Sequence, residues 1–343
     1  MRFTIVGAGA IGGITGAHLI RAGHEVTFVD TANDHLLAIR DRGLQLEGLA
    51  DIRAVPKAAL LPSEVRPQLG TLICAVKTLH TISAIGPLAP LLAKNEYALS
   101  MQNGLAYEDV AGLVGRERTL VACFNFGGHY ESPGRVVFGT RGGFHVGELD
   151  GQISERLRAL AAALGTVQEC EASSNVLGCL WSKMAMASVF FATALVDADV
   201  AEILGRERFV PVLSDLVAET VAAADAVGVR LPELHGFDPN AFRPGPRSEE
   251  AVRRSLDAIA GSFNPLQQRT GIWIDLAVRK RKTEAEPQLG RLVMLAANHG
   301  VAMPRNRAVL ELILEMEKGR RGFSYGNLEE VERHALEVSA GPG

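Results

Sequence analysis

The chain has 343 residues, 47% of them apolar, and 35 basic against 39 acidic side chains give a net charge of −4. That length exceeds what one hydrophobic core usually serves, so two domains are expected. The charge balance excludes the basic footprint of a nucleic-acid binder, and no uninterrupted apolar run reaches the roughly 18 residues of a membrane span. The four cysteines (Cys74, Cys123, Cys170 and Cys179) are scattered without a CxxC pair. They read as reduced thiols, not as a disulfide framework or a metal site. The first strand pattern begins close to Met1 and leaves no room ahead of it for a signal or transit peptide, so a cytoplasmic location is expected.

In chain order, the apolar strand Phe3–Val6 runs into Gly7-Ala8-Gly9-Ala10-Ile11-Gly12. A helical stretch follows, and a second strand, Glu25–Val29, ends on Asp30. Strand, glycine loop, helix, second strand and terminal acid together form the dinucleotide-binding fingerprint. Gly7 makes the tight turn, Gly9 lets the backbone approach a pyrophosphate, and Gly12 allows close helix–strand packing. The helix start through Ala10 and Ile11 offers N–H donors and positive dipole to the phosphates. Asp30 would accept hydrogen bonds from ribose hydroxyls and repel a 2′-phosphate, and Thr31 adds no cation. NAD(H) is therefore expected, although Arg40 and Arg42 could reach back.

Asp34–Arg42 reads as a helix and Gly43–Pro56 as a turn-rich segment. Thr71–Val76 is the continuous apolar run of a strand buried on both faces. A helix over about Leu79–Leu92, a strand Tyr97–Met101 and the loop Gln102-Asn103-Gly104 follow. Leu120–Phe124, Val136–Phe138 and Phe144–Gly147 are further strands, then a helix near Ile153–Leu164 and a last strand near Thr166–Cys170. From Ser174 onward helical periodicity dominates. The organisation expected is a doubly wound Rossmann α/β domain over 1–170, an all-α domain over 171–335 and a frayed tail over 336–343. Leu231–Arg247 reads as a loop and Phe263-Asn264-Pro265 as a helix boundary. In this layout the ligand cleft is expected between the domains, at the carboxyl ends of the strands.

Several side chains could carry chemistry. Lys77 and Asn103 each follow a buried strand, where ligands sit, but a solvated lysine and an Asn-Gly turn are equally ordinary. Lys183 is placed early in a helix whose next turns are almost wholly apolar. It is either a proton donor with a depressed pKa or an ammonium snorkelling into water. Arg279-Lys280-Arg281-Lys282 reads as a solvated face, and Thr283 with Glu286 as a capping box that places Glu284 in the first turn.

These residues form a constellation. GAGAIGG at the N-terminus, AVK ending at Lys77, QNG at 102–104, LWSKMAM at 180–186, RKRKTEAE at 279–286 and ANHGVAMPRN at 297–306 resemble the ketopantoate reductase family over nearly the whole length. The resemblance implies a second domain of the 6-phosphogluconate dehydrogenase C-terminal type and NADP(H) as the family's usual cofactor. It implies that Lys183 is the general acid and that Glu284 orients the substrate, with Asn103 and Lys77 lining the nicotinamide end.

Three departures stand out. The two asparagines that usually follow the family's lysine are Ala187 and Phe191 here. The serine expected to anchor substrate is Gly271, with one extra residue before Glu284. The 2′-phosphate arginine gives way to Asp30-Thr31. The expected function is nicotinamide-dependent reduction of a 2-oxo acid or related ketone, in a possible homodimer with no nucleic-acid or membrane partner. Lys183, Glu284, Asn103, Ala187, Phe191 and Gly271 would line the substrate. The alternatives are a true 2-dehydropantoate 2-reductase and a non-catalytic dinucleotide-binding sensor.

Overall fold

The computed structural model describes residues 1–263 and 268–340. It divides into two compact units, Met1–Leu177 and Gly178–Gly343.

The first unit begins with β1 (Arg2–Val6), α1 (Ala10–Arg21), β2 (Glu25–Val29) and α2 (Asn33–Arg42). Next come β3 (Leu44–Gly48), β4 (Ile52–Ala54), β5 (Ala58–Leu60), β6 (Thr71–Cys74) and α3 (Thr81–Ile85). β7 (Tyr97–Ser100), α4 (Tyr107–Val114), β8 (Thr119–Phe124), β9 (Gly127–Ser132), β10 (Arg135–Thr140) and β11 (Gly143–Glu148) follow. α5 (Glu155–Leu164) and β12 (Glu169–Ala172) complete it.

Eight strands form one sheet in the order β12-β11-β8-β7-β6-β1-β2-β5. The pairings from β5 through β8 are all parallel, and β11 joins β8 antiparallel. This is a Rossmann sheet whose order reverses at β1, the point where dinucleotides bind. Alternation along the strands feeds a core on each face: Phe3, Ile5 and Ile73 enter one, and Val6, Leu72 and Cys74 the other. That two-sided burial is why these strands read as continuous apolar runs.

Where the structure departs from the sequence reading, the causes are local. Gly43–Pro56 is not a turn region. It supplies β3 and β4 of a second sheet, ordered β4-β3-β10-β9, which covers α1. Its alternation was present in Leu44, Leu46, Ile52 and Ala54, all buried. The helix expected over Leu79–Leu92 is cut to Thr81–Ile85 with single 3₁₀ turns at Thr78–His80 and Ala89–Leu91, because Pro87 cannot continue the ladder. α4 and the polar edge strand β9 carried no pattern that was recognised. The strand expected at Thr166–Cys170 starts later, since Thr166 and Val167 still donate to the carbonyls of Ala163 and Leu164 at the end of α5.

α6 (Val176–Thr193) carries the chain from one unit into the next. The division falls within it because Val176 packs against Gly147 at the end of β11. α6 is as long and apolar as a membrane-crossing helix, yet 72% of it is buried within the protein, as in a core helix. The second unit continues with α7 (Val200–Leu204), α8 (Val210–Ala226), α9 (Glu249–Gly261) and α10 (Gly271–Ala277). α11 (Arg291–Asn298), α12 (Pro304–Glu317) and α13 (Tyr325–Ala340) complete it. The Leu231–Arg247 loop is pinned by Phe237 and Phe242, both fully buried. Asn264 and Pro265 lie outside the described residues. α13 extends to Ala340, into the segment expected to fray, and residues 341–343 lie outside those described.

Candidate active site

The glycine loop is built around close approaches. Gly7 has φ +96°, and a Cβ there would meet Val76 at 2.9 Å. A Cβ on Gly12 would lie 1.9 Å from the Gly7 carbonyl oxygen. These two glycines are demanded by the fold itself. At Gly9 a Cβ would meet no protein atom within 4 Å. From Phe3 to Leu19 every residue is buried except Gly9, Ala10 and Ile11, and no side chain caps α1. The accessible stretch is therefore a helix N-terminus with open backbone donors, which fits the pyrophosphate of a dinucleotide.

Neighbouring strand ends are stitched to this loop. The Gly7 N–H donates to the Val29 carbonyl at 2.8 Å, and the Ala75 N–H to Val6 at 2.9 Å. Asp30 Oδ2 accepts the Ala8 N–H at 2.8 Å, while Oδ1 accepts the N–H groups of Thr31 and Ala32. On the other side of the Ala8 residue, its carbonyl lies 2.8 Å from His35 Nε2. The Gly134 N–H donates to His35 Nδ1, which leaves Nε2 as the ring's donor to Ala8. Nothing in the sequence pattern singles out His35.

Lys77 follows β6, half-buried, and Asn103 follows β7, exposed. The residue that joins these two loops is Gln102, which sequence reasoning passed over. Its Nε2 donates to the Val76 carbonyl and to Thr81 Oγ1, both at 2.9 Å, and its Oε1 accepts from Cys74 Sγ. Gly7, Gly9, Ala10, Ile11, Gly12, Asp30, Lys77 and Asn103 thus share the carboxyl-end rim of the sheet.

In the second unit, Lys183 sits mid-helix, in the centre of α6, and not near its start as expected. An ammonium leaving a helix end into water is therefore the wrong picture. The half-buried positions of α6 from Lys183 onward are Lys183, Met186, Ala187 and Phe190, an i, i+3, i+4, i+7 stripe. Phe191, expected on that stripe, is 2% exposed and points into the core; Phe190 takes its place, with its ring 5.4 Å from that of Phe263.

Gly271 opens α10 behind its N-cap Thr270, and a Cβ there would meet nothing within 4 Å. Arg269 fixes this helix start by pairing with Asp197 and Asp199. Trp273 packs between Arg269 and Phe323, which makes it part of the scaffold. Arg279 and Arg281 are not a purely solvated run, since both pair with the buried Asp275. The capping box is not formed. The N–H and hydroxyl of Thr283 both donate to Glu317, and the hydroxyl accepts from Ala285. Glu284 is half-buried just before the helical turn, its carbonyl accepting the Gln288 N–H at 3.1 Å.

The domain described as Ketopantoate reductase PanE/ApbA matches residues 3–151, and its C-terminal counterpart matches residues 175–317. The chain belongs to the ketopantoate reductase family. A 2-dehydropantoate 2-reductase of Halobacterium salinarum is 27% identical, covering 91% of this chain and 98% of its own. The crystal structure of a PanE/ApbA family ketopantoate reductase from Ralstonia eutropha JMP134 superimposes with TM-score 0.78 at 27% identity, over 93% of this chain and 99% of its own. D-mandelate dehydrogenase, solved with NADH and anilino(oxo)acetate, has the same fold at TM-score 0.79 and 21% identity, over 93% and 99% of the two chains. As a member of this family the chain is an NAD(P)-dependent oxidoreductase that reduces a ketone.

Proposed function

We propose that this ketopantoate reductase family member reduces a 2-oxo acid bearing a larger, more apolar substituent than ketopantoate. NADH is the hydride donor and Lys183 the general acid. The observation that carries this reading is the accessible stripe of α6, where one cation is followed by Met186, Ala187 and Phe190. When bound at the glycine loop, the nicotinamide cofactor would supply the hydride that the carbonyl carbon receives. The Lys183 ammonium donates its proton to the carbonyl oxygen as charge develops there, and solvent reprotonates the amine. A methyl and a benzyl group beside that lysine offer no hydrogen bond to a substrate hydroxyl, and an unpaired buried hydroxyl costs about 1–3 kcal/mol.

NADH is favoured by Asp30. Its two oxygens offer about four acceptor positions, of which backbone N–H groups take three. The carboxylate stays anchored at the tip of β2 with capacity for one ribose hydroxyl, and a 2′-phosphate would meet its charge. Glu284, Lys77 and Asn103 keep the roles that the family resemblance implies. Reduction of ketopantoate itself is the second reading, supported by the retained Lys183 and Glu284. Initial rates of NADH and NADPH oxidation with ketopantoate, phenylglyoxylate and branched aliphatic 2-oxo acids separate the two. Ketopantoate turnover above about 10⁴ M⁻¹s⁻¹, matching the apolar acids, would overturn the proposed preference.

A further inference from the structure

We infer that Tyr130 on β9 walls the adenosine end of the dinucleotide site, presenting its ring to a purine ribonucleoside whose ribose is held by Asp30. The inference rests on the NADH reading above and adds a binding residue from the second sheet, which the glycine-loop motif does not contain.

Alternation along β9 fixes the direction of the side chain. A Cβ on Gly128 would lie 2.9 Å from Ile14 of α1, so Gly128 faces that helix, and Tyr130, two residues on, shares its face. The register agrees, because Tyr130 pairs with Val136, and Val136 reaches Gly13 of α1. From there the contacts run directly to the phosphate loop. The Tyr130 ring meets the His35 imidazole edge-on, with centroids 5.2 Å apart. His35 Nε2 donates to the Ala8 carbonyl, and the Ala8 N–H donates to Asp30. His35 is therefore a positioning residue that bolts the β9–β10 hairpin to the loop, whereas Tyr130 is the accessible member of the chain.

Tyr130 is 45% exposed, the one aromatic ring among the exposed large hydrophobic side chains of the described residues. Burial first, and then the carboxylates of Asp34 and Asp30, push its phenol above the usual tyrosine range. An exposed aromatic ring next to a ribose acceptor has the elements of base stacking, which is typically worth roughly 5- to 100-fold in affinity.

The test is calorimetric binding of NADH and of ADP-ribose to the full chain, with nicotinamide mononucleotide as the probe of the other half. Tyr130→Ala should weaken NADH and ADP-ribose by about tenfold or more, with nicotinamide mononucleotide unchanged. Tyr130→Phe should stay within a few-fold of wild type. The side chain stands on an exposed edge strand, so the fold tolerates both. Equal NADH affinity in wild type and Tyr130→Ala would overturn this inference alone. A wild type that binds NADPH but not NADH would overturn the cofactor reading and this inference with it.

Discussion

The N–H of Ala8 donates to Asp30 Oδ2 at 2.8 Å, so the glycine loop and the acid at the tip of β2 are tied together. On the proposed cofactor reading, a carboxylate held in this way opposes a 2′-phosphate. Wild-type protein should show a higher kcat/KM with NADH than with NADPH. Asp30→Asn removes the charge and keeps the shape, and should narrow that ratio by about tenfold. Steady-state kinetics with both cofactors checks it, and a wild-type preference for NADPH would sink the assignment.

Gly9 and Gly12 should respond differently to alanine. The Gly9 methyl enters open space, so Gly9→Ala should keep its melting temperature and lose NADH affinity. The Gly12 methyl collides with the Gly7 carbonyl at 1.9 Å, so Gly12→Ala should lower the melting temperature as well. Thermal melts paired with NADH titrations read both. A Gly9→Ala protein with unchanged affinity would mean that the loop does not contact phosphate.

Lys183→Ala should lower kcat by about 100- to 10,000-fold while NADH affinity holds, since a proton donor acts mainly in the transition state. Glu284→Gln should cost less and show partly in KM. A near-normal kcat in Lys183→Ala would remove Lys183 from the chemistry.

Restoring the family's polar side chains should shift substrate choice. Gly271→Ser adds a hydroxyl where a Cβ meets nothing, and Ala187→Asn adds an amide one turn beyond Lys183. Together they should raise kcat/KM for ketopantoate by about tenfold or more, at the expense of apolar 2-oxo acids. Phe191→Asn should instead destabilise the protein, because Phe191 is buried. A double variant whose ketopantoate kinetics are unchanged would place the substrate away from this stripe.

Glu219 on α8 accepts the N–H groups of Arg305 and Asn306 at the start of α12. Burial nevertheless pushes its carboxyl above the usual range, outweighing those hydrogen bonds and nearby Arg305. A raised folded-state pKa means that its contribution is fully present below the unfolded pKa and is lost as pH rises through the folded one. The stability of wild type minus that of Glu219→Gln, from urea melts, should therefore fall with rising pH. A difference that grows with pH would show that the donors dominate.

Much of the nucleotide-binding half was legible because its signals are local. The glycine loop, the strand before it, the helix and β2 ending at Asp30 follow from short-range sterics and alternation, and Gly7, Gly12 and Asp30 lie where their types require. The family's distributed motifs likewise brought Lys183, Glu284 and Gly271 to attention. Tertiary packing decided the rest. Helical periodicity allows Lys183 to align with either Phe190 or Phe191, and only the packing of α6 turned Phe191 inward and left Phe190 accessible. Glu317, far along the chain, claimed Thr283 from its expected cap. His35 matters through Gly134, 99 residues away, Gln102 through Val76, 26 residues away, and Tyr130 through a ring contact with His35, none of which leaves a local pattern. Hydrogen-bond partners and burial depend on which surfaces meet, and the sequence encodes that meeting only through the energy of the whole fold.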